Sequence, residues 1–234
     1  LIYKGLKPVY WSPSSESALA EAEVEYKDIK SPTIYVKFQV KDGKGLLDTD
    51  TYFVIWTTTP WTIPGNLGIC VHPDMIYALV ETDKGKLIML EELVEQLCPK
   101  FECKSFKIVQ TFKGSEFEYI TCTHPLYPER ESLLMLADYV TADAGTGCVH
   151  TAPAFGEDDF NTGMRYKLPI YCNVDEQGRM MESCGEWLAG QYVEDANKTV
   201  TMKLDELGAL LNLTFITHSY PHDWRTKKPI IFRA

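Results

Sequence analysis

Between Thr33 and Val40 apolar and polar residues alternate almost without a break, with Ile34, Val36, Phe38 and Val40 on one side and Tyr35, Lys37 and Gln39 on the other. A period of two does not fit a helix and predicts a strand with one face on a core. Asp42-Gly43-Lys44-Gly45 then supplies a turn, and the apolar run Tyr52-Phe53-Val54-Ile55 returns at hairpin distance, ending at Trp56. Further short strands are expected at residues 68–71, 77–80 and 86–89, a meander whose last two members join across Asp83-Lys84-Gly85. Others follow near residues 106–109, 119–121, 132–135, 148–151 and 214–217. Helical patterns are fewer: Glu91 to Leu97, Glu157 to about Tyr166, and Val193 to about Leu207, the last closed by Gly208. Ser14 to Tyr26 has alanine and glutamate but few apolar positions at helical spacing, so a loop or short helix is expected there. The expected class is α+β and β-rich: a central sheet that curls toward a barrel, with the Glu157 and Val193 helices packed outside it.

Composition bounds the function. A chain of 234 residues with 45% hydrophobic and 24% charged residues suits one large globular domain, and no segment is apolar enough to span a membrane. The first residue is Leu1 and no signal-like segment follows, so an excised fragment is expected. Seven cysteines, an odd number, point to reduced thiols and a cytoplasmic location. The net charge of −10 argues against gripping a phosphate backbone by counterion release, so any nucleic-acid contact must be local. Gly145-x-Gly147 lies in a small-residue loop, Thr141 to Gly147, that lets backbone approach a neighbour closely; without the flanking strand and helix it is not a dinucleotide fingerprint.

Three stretches carry candidate chemistry. Trp56-Thr57-Thr58-Thr59-Pro60-Trp61-Thr62 follows a buried strand with hydroxyls beside two indoles, stiffened by Pro60 and Pro64, and Asn66 follows the second proline. From the residues alone this is either a rigid ligand wall held outward or an ordinary edge strand with a proline-rich exit. Glu157, Asp158 and Asp159 open a helix, where acids serve as caps and dipole partners as readily as ligands. His218-Ser219-Tyr220-Pro221-His222 invites a metal assignment, but without paired cysteines or acids both histidines read as packed linker residues.

Taken together, Trp56 to Thr62 with Pro64-x-Asn66, then Gly147-Cys148-Val149-His150-Thr151-Ala152-Pro153 and Gly156-Glu157-Asp158-Asp159, resemble the editing domain inserted in isoleucyl-tRNA synthetases, and the resemblance runs along essentially the whole chain. In the sister valyl and leucyl enzymes an arginine typically stands where this chain has Thr59, so Thr59-Pro60-Trp61-Thr62 points to the isoleucyl branch. The resemblance implies an editing core over residues 31–213, with residues 1–30 and 214–234 as ribbons leading to the catalytic domain of the same synthetase. It implies a site that hydrolyses valine misattached to the 3′ end of tRNA(Ile), or valyl-adenylate, while excluding isoleucine by size. Thr57, Thr58 and Asp159 are the implied catalytic residues, Asp159 holding the substrate ammonium group. Trp56, Thr59, Trp61, Asn66, His150, Ala152 and Tyr220 are implied to bind substrate: His150, Trp56 and Thr59 as the wall, Asn66 toward ribose and adenine, Trp61 and Tyr220 closing the pocket.

The resemblance implies no cofactor in this domain, with ATP and magnesium serving the parent enzyme elsewhere. Many members of the family carry Cys-x-x-Cys pairs where this chain has Ser12 with Ser15 and Asp223 with Thr226, so no zinc is expected. Two other functions compete: a valyl-type editing domain that clears threonine, against which Thr59 and Trp61 argue, and a non-catalytic β-rich interaction module, which would deacylate nothing.

Overall fold

The computed structural model describes residues 5–234; the first four residues of the expected N-terminal ribbon lie outside them. In chain order the strands and helices are β1 (Val9–Ser12), β2 (Ser17–Ala18), β3 (Val24–Asp42), β4 (Thr51–Thr57), β5 (Gly68–Val71), β6 (Ile76–Thr82), β7 (Gly85–Leu90), α1 (Val94–Lys100), β8 (Phe106–Lys113), β9 (Thr121–Thr123), β10 (Glu131–Leu136), β11 (Cys148–Thr151), α2 (Glu157–Arg165), α3 (Val193–Glu206), β12 (Leu210–Asp223) and β13 (Ile231–Arg233). The fold is α+β and strand-rich. Its main sheet runs β12-β3-β9-β10-β5-β11-β4-β7-β6-β8, and a further β3–β4 pairing closes β3, β9, β10, β5, β11 and β4 into a ring. The sheet therefore curls into a six-stranded barrel, with β7, β6 and β8 continuing from β4 as a wing.

The alternation in β3 sets the inside of that barrel. Ile34, Val36, Phe38 and Val40 are at most 1% exposed and join Phe53, Ile55, Ile69 and Phe117 in the main core. Tyr35, on the opposite face, is also buried, because α1 covers that side: Val94, Leu97 and Phe101 pack on Tyr35, Val54 and Leu87, with the Tyr35 and Phe101 rings edge-on at 5.2 Å. α3 lays Val193, Ala196, Val200 and Leu204 against the main core.

The strands at residues 68–71, 77–80 and 86–89 do not form a meander. Only β6 and β7 pair, from Tyr77↔Leu90 to Thr82↔Gly85, whereas β5 inserts between β10 and β11, where Leu133↔Gly68 and His150↔Ile69 are in register. Tyr119 is not a strand residue; it sits at φ +68° in the turn that lets Ile120 bury, and β9 starts at Thr121. Residues 14–26 hold a turn, the short β2, a 3-10 turn at Glu21–Glu23 and the start of β3, since pairing with β12 outweighs the helix propensity of alanine and glutamate.

β3 and β12 pair without interruption from Val24↔Asp223 to Thr33↔Thr214, so a two-stranded ribbon grows directly out of the barrel. At its far end the four positions Ser12, Ser15, Asp223 and Thr226 form a hydrogen-bonded knot. Asp223 Oδ2 accepts from Ser12 Oγ at 2.6 Å and Ser15 Oγ at 3.1 Å, while Oδ1 accepts the Arg225 and Thr226 N–H groups at 2.8 and 3.3 Å. Burial by itself would raise the Asp223 pKa, but these donors outweigh it and bring the carboxyl down to about 2. His218 Nε2 bonds Ser31 Oγ at 2.8 Å and His222 Nδ1 bonds the Tyr220 carbonyl at 2.9 Å, so both histidines pack within the ribbon.

Candidate active site

β4 and β11 are neighbours in the barrel and run parallel, with Trp56 opposite Val149, so the segments that follow them leave on the same side. There they enclose a cavity of about 380 Å³, lined by Trp56, Thr57, Thr58, Thr59, His150, Ala152 and Asp159 together with Thr62, Phe155 and the loop from Tyr139 to Gly147. Seven of the ten expected site residues meet here. Sequence separations near 90 residues are bridged by one parallel pairing.

Each wall has a local cause. After Thr57 the chain turns into a 3-10 helix over Pro60–Gly65, begun by a proline at its first position, and every residue of that helix is buried. Thr57 Oγ1 receives the Thr59 N–H at 3.1 Å, and Thr62 Oγ1 donates to the Thr59 carbonyl at 2.9 Å, which folds the threonines into a fixed arc. The opposite wall is the small-residue loop. Gly145 has φ +79°, and a Cβ there would lie 3.3 Å from Trp56, so glycine lets the loop lie against the indole.

The acid at the cavity is held by the start of α2. Asp159 Oδ2 accepts the Ala152 N–H at 2.7 Å, which joins the segment leaving β11 to the first turn of the helix. Desolvation raises its pKa to about 6, more than the N–H groups of Ala152 and of Asp159 itself lower it, with the Asp158 carboxylate adding to the rise. Asp158 and Glu157, by contrast, are exposed. A half-buried carboxylate at the cavity, able to take on a cationic group, is thus singled out from the three acids by geometry.

His150 is 8% exposed and lies between Thr62, whose Oγ1 is 2.9 Å from Nε2, and Asn66, whose Nδ2 is 2.8 Å from Nδ1. Burial pushes its pKa down to about 4, so the ring is neutral at physiological pH. Cys148 is the one cysteine of the lining, and burial pushes its thiol well up, so no thiolate nucleophile is available there.

Three expected site residues stand elsewhere. Asn66 is completely buried behind His150 and does not line the cavity. Trp61 is 5% exposed and packs edge-on against Phe155 at 5.1 Å, so it supports the lining from one layer behind instead of projecting toward a ligand. Tyr220 and Trp61 line a separate small cavity of about 50 Å³ on the other side of Thr58 and Thr59. The prolines explain the displacement, because the 3-10 helix they start turns Trp61 and Asn66 inward. Sequence reasoning missed Thr62, Phe155 and Tyr139 as lining residues. Thr62 carried a signal, three residues after Thr59 and so one 3-10 turn away; Tyr139 carried none.

Comparison with known proteins decides the family. The family described as "Leucyl-tRNA synthetase, editing domain" matches residues 30–206. The chain belongs to the aminoacyl-tRNA synthetase editing-domain family. The isoleucine–tRNA ligase of Geobacillus thermodenitrificans is 60% identical to it and that of Bacillus anthracis 59%, each over the whole chain and 25% of the relative's length. The chain therefore spans about a quarter of the length of the curated relatives it matches, and the likeness places it on the isoleucyl branch. Its fold is shared with the crystal structure of GlLeuRS-CP1, at TM-score 0.58 and 14% identity over 80% of this chain and 99% of that one. The Plasmodium knowlesi cytosolic leucyl-tRNA synthetase editing domain gives TM-score 0.59 at 12% identity over 77% and 95%.

Proposed function

We propose that this domain hydrolyses the ester linking misattached valine to the 3′ end of tRNA(Ile), and excludes isoleucine by size. The observation that supports it is one cavity in which a carboxylate, Asp159, and a neutral imidazole wall, His150, face the threonine arc. A second sieve is chemically required because one methylene changes binding by only about 1–3 kcal/mol, a limit for which isoleucine against valine is the standard case. In this reading Asp159 pairs with the α-ammonium group. His150, Trp56 and Thr59 bound the side-chain space, and Thr57 and Thr58 offer hydroxyls to the terminal ribose and to a water.

The ester is already activated, so positioning carries most of the chemistry. Water adds to the carbonyl carbon, the bond to the ribose oxygen breaks, and that oxygen leaves as the hydroxyl with the proton water supplied. The partners are then the aminoacylated tRNA end and the catalytic domain of the parent synthetase, in the cytoplasm. No described helix is long and apolar enough to cross a membrane. The test is a side-by-side assay of the parent synthetase with valyl-tRNA(Ile) and threonyl-tRNA(Val). Hydrolysis of the valyl ester alone is expected; preference for the threonyl ester, or hydrolysis of neither, overturns the reading.

A further inference from the structure

The hydrogen bonds around His150 fix where its proton sits. Asn66 Nδ2 donates to the Gly68 carbonyl at 2.9 Å, and this bond settles the orientation of the amide, because the reverse would set the Asn66 oxygen against a carbonyl oxygen. Asn66 Oδ1 is left without a partner among the described residues, and the amide still keeps this orientation. The group that faces His150 Nδ1 at 2.8 Å is therefore a donor, so Nδ1 is the acceptor and the ring proton is on Nε2. Nε2–H in turn points at Thr62 Oγ1, 2.9 Å away, and that hydroxyl spends its own proton on the Thr59 carbonyl.

We infer that Asn66 and Thr62 are positioning residues that lock His150 as a neutral Nε2–H imidazole with both ring nitrogens engaged, so that it meets substrate only through carbon. A ring held this way has no lone pair to take a proton from water and acts as an apolar wall of fixed orientation. Its site role rests on the editing reading; the lock itself does not. The relay also ties that wall to the opposite one, since Thr62 closes on the backbone of Thr59. Reorienting the imidazole changes the space left for a side chain, and one methylene is the margin that separates the two amino acids.

The experiment labels the protein with 15N-histidine and records the long-range ring correlations at neutral pH, with His150 assigned by loss of its signals in a His150→Ala variant. The Nε2–H pattern is expected for wild type. Asn66→Asp replaces the donor by an acceptor of the same shape and moves the proton to Nδ1 or charges the ring. Alongside, the parent synthetase is assayed with valyl-tRNA(Ile) and isoleucyl-tRNA(Ile). Thr62→Val, which cannot accept the Nε2–H bond, lowers valyl over isoleucyl selectivity roughly tenfold, the scale of one lost hydrogen bond, and Thr62→Ser restores it. An Nδ1–H or doubly protonated ring in wild type, an unchanged tautomer in Asn66→Asp, or, where the wild-type synthetase cleaves the valyl ester, equal selectivity of the Thr62→Val and Thr62→Ser variants overturns the lock. A wild-type protein with the Nε2–H signature that cleaves neither ester bears out the lock and sinks the editing reading alone.

Discussion

Asp159 is the residue on which charge logic turns. Its folded-state value of about 6 lies above the ordinary carboxylate range, so the ionised side chain costs stability at neutral pH, and that cost fades as the pH falls below about 6. On the proposed editing function activity runs the other way, because only the carboxylate pairs with an ammonium group. The expected kcat/KM profile for valyl-tRNA(Ile) hydrolysis in the parent synthetase therefore falls on the acid side with a midpoint near pH 6. Asp159→Ala removes a charge-assisted contact and costs about ten- to a hundredfold. Asp158→Ala, at the same helix terminus but exposed, leaves the rate and the profile unchanged. Equal losses in the two variants, or losses that track their melting temperatures, would return all three acids to helix capping.

The loop that leads into β11 shows how an element is pinned. Leu90 N–H donates to the Thr146 carbonyl at 2.9 Å, Thr146 Oγ1 donates to the Val54 carbonyl at 2.5 Å, and Tyr77 OH donates to the Gly147 carbonyl at 2.5 Å. The loop is thereby fastened to β4, β6 and β7 at once. Gly147 adopts φ +81°, and a Cβ there would come within 2.1 Å of Leu90 Cγ. Gly147→Ala is expected to cost about 2–4 kcal/mol through strain plus overpacking, a drop on the order of 5–15 °C in Tm for a domain of this size. Gly190→Ala is the control, since Gly190 has φ +79° with nothing within 4 Å of its added Cβ. Thermal unfolding that drops equally in both would show that Leu90 gives way and the loop is not pinned.

At the scale of the molecule, closure of the barrel and net charge set what the domain can do alone. Closing β3 on β4 leaves no free strand edge around the ring, so the open edges of the main sheet are those of β12 and β8. A net charge of −10 opposes holding a polyanion over an extended surface. The isolated chain is expected to bind uncharged tRNA more weakly than about 10 μM at physiological salt, with little salt dependence, as read by fluorescence anisotropy. Tight, strongly salt-dependent binding would show a basic surface that this charge distribution hides.

The strand content, the α2 and α3 positions and the threonine, histidine and aspartate motifs were legible in the sequence, because period-two alternation, caps and motif spacing are local properties. The inward face of β3 could be read residue by residue for the same reason. What was not legible depends on pairing between distant segments. β5 leaves β6 and joins β10 and β11 because that register buries Ile69 and Val71 in the closed ring, and nothing within residues 68–71 announces it. Tyr35 buries on the supposedly outer face only because α1, some 60 residues later, comes to cover it. Asn66 was expected to face the cavity, but only the 3-10 turn after Pro60 decides that its amide meets His150 behind the cavity lining.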